Sequence, residues 1–260
     1  MEVELSLEDG VGRVEINRPD RMNSLTVEVA TGLGRGAEQL VKDGARALVL
    51  TGRGGAFCAG ADLALVRSAF AAPSPEEVLT PLVHELHSSI RRIRQLPVPV
   101  VAAVEGPAVG AGLGLALTAD LRVASSHARL VPGYTAIGSS PDGGVSYYLA
   151  RMLGPAVAAR VLLLNETLTA ERGRELGLVD EVVEPGAAMA AATKLAQRLS
   201  NTPPLALLRT RRLLDAASSQ ELSLHLDLEQ ELVTELWETA DFREGVSAFL
   251  ERRTPQFRGE

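Results

Sequence analysis

The sequence predicts an α/β fold with a helical C-terminal region. Three observations carry that reading. Strand-like and helix-like patterns alternate through about the first 200 residues. Two short apolar strands each run into a glycine-rich turn and then a helix start. Beyond Pro203-Pro204 only helical patterning continues, to about Arg253. The predicted division is therefore residues 1–200 as core and 201–260 as a helical region.

Taken in order, Val3–Leu7 and Val11–Ile16 are strand-like runs separated by Glu8-Asp9-Gly10, whose Asp-Gly pair is the signal of a hairpin. Asn17-Arg18-Pro19 ends the second strand. Ser24–Val41 has the spacing of an amphipathic helix despite internal glycines, and Ala45–Leu50 is a buried strand stopped by Thr51–Gly55. A helical stretch follows Ala61-Asp62-Leu63, then a loop at Ala71–Pro75. Segment Val66–Thr80, rich in small residues, is expected to cover part of a binding pocket. Glu76–Gln95 is a second long helix and Val100–Val104 a second buried strand. Gly106–Gly114 leads into a helix over Leu113–Ala119, with Leu121–Ala124 as another strand. A Gly/Ser/Pro loop, Gly138–Gly144, precedes a helix over Val145–Leu153. From Pro155 onward the patterns are helical, apart from a short strand at Val182-Val183. There is no internal repeat and no low-complexity segment.

Composition excludes several function classes. The 260 residues are 46% hydrophobic and 23% charged, as in ordinary globular proteins. A net charge of −7 and 3% aromatic content argue against nucleic-acid and anionic-membrane binding. The single cysteine, Cys58, rules out an internal disulfide and a thiolate-based structural zinc site. MEVELSLEDG is acidic and unlike a signal peptide, and the longest apolar runs, such as Val98–Val104, cannot span a bilayer. A cytoplasmic protein is the expectation.

The two glycine-rich turns, Gly52–Gly60 and Gly106–Gly112, invite a functional reading. Helix N-termini present unpaired N–H groups and a positive dipole end, so two such turns can aim two donors at one developing anion. The plainer alternative is that these glycines only permit tight turns and close packing. A dinucleotide fingerprint fails, because Leu115 occupies the place of its last glycine and no acidic residue follows about twenty positions on. Gly138-Ser139-Ser140-Pro141-Asp142 does not form a nucleophile elbow. His84 and His87 are three apart while His127 and His225 stand alone, so all four read as helix-surface histidines and no metal site is expected.

Five segments together resemble the enoyl-CoA hydratase/isomerase (crotonase) superfamily. They are Asn17-Arg18-Pro19 with Asn23-Ser24-Leu25; Gly55–Leu63; Glu105–Gly112 with Leu117–Asp120; Thr169-Ala170-Glu171 with Gly177–Asp180; and Glu244–Phe249 with Pro255-Gln256-Phe257. The resemblance runs nearly end to end. It implies a superhelical core of repeated β-β-α turns and a C-terminal helical region that assembles a homotrimer, often doubled to a hexamer. It implies an acyl-CoA thioester substrate, with coenzyme A entering as part of it and no separate cofactor, and a place in fatty acid metabolism. On matching positions the thioester oxygen sits between the backbone N–H groups of Ala61 and Ala111. Ala59, Asp62, Leu63 and Gly110 would line the bound thioester, and Arg21 is placed to reach phosphates.

The resemblance leaves the reaction open. Hydratases of this family carry two glutamates; the matching positions here are Gly114 and Tyr134, and neither supplies a carboxylate base. Ile137–Gly144 resembles the Pro-Asp-Gly-Gly loop of family isomerases, including 3,2-enoyl-CoA and ring-epoxide types, in which the aspartate shuttles a proton. That role would fall to Asp142. Its alternative is a turn or capping residue before the next helix. Tyr134 reads as pocket wall or hydrogen-bond donor, since a free phenol ionises near pH 10. An isomerase is the leading expectation, with a single-carboxylate hydratase and a catalytically silent acyl-CoA binder as alternatives.

Overall fold

A computed structural model describes all of residues 1–260. Strands β1 (Val3–Glu8) and β2 (Val11–Ile16) form the expected hairpin, with Asp9 and Gly10 both at positive φ as its turn requires. The chain then adds β3 (Ala47–Gly52), β4 (Val100–Val104), β6 (Leu121–Ser125) and β9 (Glu181–Val183) in parallel. The resulting sheet has the order β1-β2-β3-β4-β6-β9. A second sheet, of β5 (Pro107–Val109), β7 (Arg129–Val131) and β8 (Leu168–Thr169), faces the site. Isolated parallel bridges, Leu25 to Ala61 and Cys58 to Ala108, extend that layer across the earlier turns of the chain. Each turn of the superhelix thus gives one strand to the main sheet and one short extended segment to the second layer.

The central strands β3 and β4 are buried on both faces, which explains why they are almost continuously apolar. Leu48, Leu50, Val100 and Ala102 point into a large core with helices α1 (Val27–Lys42) and α3 (Pro75–Gln95). Ala47, Val49, Val101 and Ala103 face α7 (Ala188–Ser200) through its Ala192 and Ala196. Helix α1 opens at Thr26, whose hydroxyl accepts the Val29 N–H at 3.2 Å, so it starts three residues later than its periodicity predicts. Ser24 is instead buried in the turn before it. The Gly34 of α1 allows close approach to α3: a Cβ there would lie 2.6 Å from Ser89 Oγ.

Short helix α2 (Leu63–Ala69) precedes α3, and α4 (Ala111–Thr118) begins two residues earlier than expected. Helix α5 (Val145–Leu163) bends at Gly154, where φ 75 and ψ 160 break the helical path ahead of Pro155. After α6 (Ala170–Glu175) and α7 come α8 (Pro204–Ala216), α9 (Leu222–Trp237) and α10 (Ala240–Glu251). Arg211 of α8 docks this region on the core by donating to the carbonyls of Arg94, Leu96 and Val98. No helix is long and apolar enough to cross a membrane.

Candidate active site

The first glycine-rich turn is built by the segment before α1. Asn23, fully buried at positive φ, donates from Nδ2 to the carbonyls of Arg53 and Ala56, and its Oδ1 accepts the Arg18 N–H. Leu25 then pairs with the far end of the turn: its N–H goes to Gly60 O at 2.8 Å, and its carbonyl accepts the Asp62 N–H at 3.0 Å. In such a pairing the intervening Ala61 N–H points the other way, and it has no acceptor within the chain. This donor is freed by a bridge between extended segments. Helix α2 itself starts at Leu63 with Asp62 as its cap, so the Ala61 N–H lies outside its first turn.

The second turn does use a helix N-terminus. Gly110, at φ 53 and ψ −121, caps α4, and its N–H is held by Val131 O at 2.9 Å. The N–H groups of Ala111, Gly112 and Leu113 have no acceptor in the chain, as expected of a first turn. The two turns touch. A methyl group on Gly60 would lie 3.6 Å from the Ala111 nitrogen, and one on Gly112 would lie 2.2 Å from Cys58 O. Two unpaired backbone donors, Ala61 and Ala111, therefore sit on adjoining turns beside the α4 dipole.

Asp62 has a structural task. Its Oδ1 accepts the Ala64 N–H at 2.9 Å and its Oδ2 accepts from Arg18 Nη2 at 2.9 Å, with Ser24 Oγ 3.3 Å away. Burial pushes its carboxyl up, but the Arg18 guanidinium and the Ala64 N–H outweigh that and hold it below the usual range. A depressed carboxyl contributes stability above the unfolded-state value near pH 4, and that contribution is withdrawn as pH falls through the range below it. Asp62→Ala is accordingly expected to cost about 3 kcal/mol at neutral pH. The difference from the unaltered protein should shrink below about pH 4 in pH-dependent denaturant unfolding.

Among the remaining predicted residues, Ala59 spends its N–H on Met22 O at 3.0 Å, which leaves its carbonyl available. Leu63 and Arg21 are exposed at the rim, the latter on the 3-10 turn Pro19–Arg21. Cys58 is fully buried; burial pushes its thiol up to about 12, against the Gly60 N–H and Arg18, so it is no nucleophile.

On the other side of the Ala111 donor lies the loop that carries Asp142. Tyr134, nearly buried, donates from Oη to Asp142 Oδ1 at 2.7 Å, and its ring flanks Gly110. Burial and the neighbouring carboxylate push the phenol well above its ordinary range, so it stays a donor. The Asp142 side chain caps nothing: the cap of α5 is Gly144, and Val145 N–H bonds the Asp142 backbone carbonyl at 3.1 Å. Next to it, Gly143 lies against Ala111, with a Cβ there 3.4 Å from the Ala111 Cα. A Cβ on Gly114 would lie 2.3 Å from the Gly143 carbonyl oxygen, so the loop occupies the space over α4 where a longer residue 114 would project.

Three of the histidines depart from their helix-surface reading: His127 lies in the turn between β6 and β7, and His225 of α9 is half-buried. His87 of α3 is half-buried, not a free surface histidine, and its Nε2 accepts the Gly143 N–H at 3.2 Å. Spacing along α3 could not reveal it, because its partner is 56 residues away.

Two unpaired backbone donors on adjoining turns of a superhelical α/β core are an arrangement that can hold a developing negative charge. The family model for enoyl-CoA hydratase/isomerase matches residues 6–260, and the chain belongs to that family. It is 37% identical over 256 residues to the 1,2-epoxyphenylacetyl-CoA isomerase of Escherichia coli (strain K12), covering 98% of this chain and 97% of that protein. The crystal structure of an enoyl-CoA hydratase from Polaromonas sp. JS666 superimposes with a TM-score of 0.93 at 36% identity, covering 98% of this chain and 99% of that one. An enoyl-CoA hydratase from Bacillus anthracis gives a TM-score of 0.92 at 28% identity, with all of both chains covered. The fold is the crotonase fold.

Proposed function

We propose that this enzyme is an enoyl-CoA isomerase that moves a double bond by proton transfer through Asp142. The thioester oxygen lies between the Ala61 and Ala111 N–H groups. Asp142 removes a proton from the acyl chain; the electron pair delocalises into the thioester as a dienolate, and the two donors hold its oxyanion. The same carboxyl then returns the proton at the other end of the conjugated system, so no group is gained or lost. Tyr134 fixes Oδ1 and leaves Oδ2 as the proton acceptor.

The observation that carries this reading is the Tyr134–Asp142 pair at 2.7 Å, beside an α4 with no carboxylate. Two carboxylates that hold a water are absent, and the phenol at 134 cannot replace one. The likeness to a 1,2-epoxyphenylacetyl-CoA isomerase supports the same direction. Arg21, the Ala59 carbonyl and the backbone at Asp62 and Leu63 are the groups proposed to receive the coenzyme A portion. Exposed Leu222, Leu224 and Leu226 on α9, with Phe249 and Leu250 on α10, support assembly as a trimer or a dimer of trimers.

The deciding experiment incubates the purified protein with 3-enoyl-CoA and 2-enoyl-CoA and follows ultraviolet absorbance with product mass. A double-bond shift without mass change is expected. A mass gain of one water marks a hydratase, and thioester binding without turnover marks a silent binder. Gly114→Glu is a second test of the same geometry. It is expected to destabilise the protein by about 1–3 kcal/mol, because the new side chain must displace the Gly143 backbone. Isomerisation should fall, with no hydrated product.

A further inference from the structure

We propose that His87 is a positioning residue for Asp142, acting through the Asp142–Gly143 peptide; the inference rests on the proton-shuttle reading above. A backbone N–H only donates. His87 Nε2, accepting the Gly143 N–H at 3.2 Å, is therefore unprotonated, and the neutral ring carries its proton on Nδ1. That N–H belongs to the planar unit whose carbonyl is Asp142 O, and this carbonyl lies 3.2 Å from Tyr134 Oη. His87 thus holds this peptide at its N–H end, while the single Tyr134 hydroxyl proton goes chiefly to Asp142 Oδ1 at 2.7 Å, with the peptide carbonyl as its longer second acceptor.

The loop needs such a grip. Gly143 and Gly144 both adopt positive φ, where glycine has many alternatives, and residues 135–140 are exposed. Every other hydrogen bond made by residues 138–144 comes from within 134–148. His87 alone ties the loop by hydrogen bonding to a distant, rigid element. Helix α3 is anchored there by buried Leu82, Leu86 and Ile90, and the Leu86 side chain also flanks Gly143. A base displaced by about 1 Å from its proton forfeits up to about 10²-fold in rate.

The test compares His87→Leu, which removes the acceptor, with His87→Gln, whose amide oxygen reaches the Nε2 position. In 3-enoyl-CoA isomerisation, His87→Leu is expected to lower kcat about 10-fold with KM nearly unchanged, and His87→Gln to restore most of it. Amide hydrogen exchange at Gly143 in the ligand-free protein should quicken in the Leu variant and not in the Gln variant. Should the Leu variant fail to fold, His87→Met makes the same deletion. Wild-type kcat in the deletion variant, or a Gln variant as slow as the deletion, overturns the positioning role. Asp142→Asn, assayed alongside, separates the two ideas. Full activity there overturns the shuttle and this proposal with it, whereas an inactive Asp142→Asn beside an unimpaired His87→Leu overturns only the positioning role.

Discussion

Asp142→Asn is expected to lower kcat for the double-bond shift by about 10²–10⁴-fold, the range associated with a positioned general base. The substitution is nearly isosteric. An amide oxygen at the Oδ1 position still accepts the Tyr134 hydroxyl, 2.7 Å away in the unaltered protein, so the loop and its contact with Ala111 should persist. What disappears is the ability to take and return a proton. KM should therefore change little and the loss should fall on kcat, the pattern of an interaction made only in the transition state. Steady-state kinetics with 3-enoyl-CoA, checked by solvent deuterium incorporation into recovered thioester, reads both effects. An Asp142→Asn enzyme with wild-type kcat would sink the proton shuttle and leave Asp142 a loop residue. Tyr134→Phe is a useful companion, since it keeps the base and removes only its orientation.

Much of the fold around this candidate site was legible in the sequence because its determinants are local. The hairpin, the buried strands Val100–Val104 and Leu121–Ala124, and the helices α1 and α3 follow from periodicity, with shifts of a few residues at their ends. The Pro-Asp-Gly-Gly run marked Asp142, and the glycine-rich turns marked both donor segments. What escaped is non-local. Strands β5, β7 and β8 are two or three residues long and exist only through pairing, so no run of β-branched residues announces them. The Ala61 N–H is unpaired because Leu25, 36 residues earlier, takes the flanking bonds. The surface reading of His87 failed for the same reason, since its acceptor role depends on a loop that returns only after four further strands, β4 to β7.

The fold adds a second meaning to glycine at 114. In the sequence it is an absent carboxylate. In the fold it is the contact that lets the Asp142 loop lie on α4, since any Cβ there would meet the Gly143 carbonyl. Absence of a side chain at 114 and the placement of the Asp142 loop are thus one packing decision. A glutamate at 114 and this loop conformation cannot share the same space.

The second large effect is expected from Ala111→Pro, which deletes one oxyanion donor and little else of the fold. Ala111 is the first residue of α4, where proline's fixed φ suits the helix and the missing N–H breaks no bond within the chain. Gly110 before it sits at ψ −121, outside the helical region that a following proline forbids. Thermal stability should therefore stay close to that of the unaltered protein. Catalysis should not survive as well. Removing one such donor costs about 10²–10³ in rate, or roughly 3–4 kcal/mol of transition-state stabilisation, and the proline ring would also intrude on the oxygen's place. Ala111→Gly is the control, expected to keep activity because the donor is the backbone. If Ala111→Pro folds, binds thioester and retains wild-type kcat/KM, the Ala111 N–H is not an oxyanion donor and the carbonyl must lie elsewhere. If activity falls about 10²-fold or more with a normal unfolding curve, the rate comes from an N–H that the fold leaves without a partner.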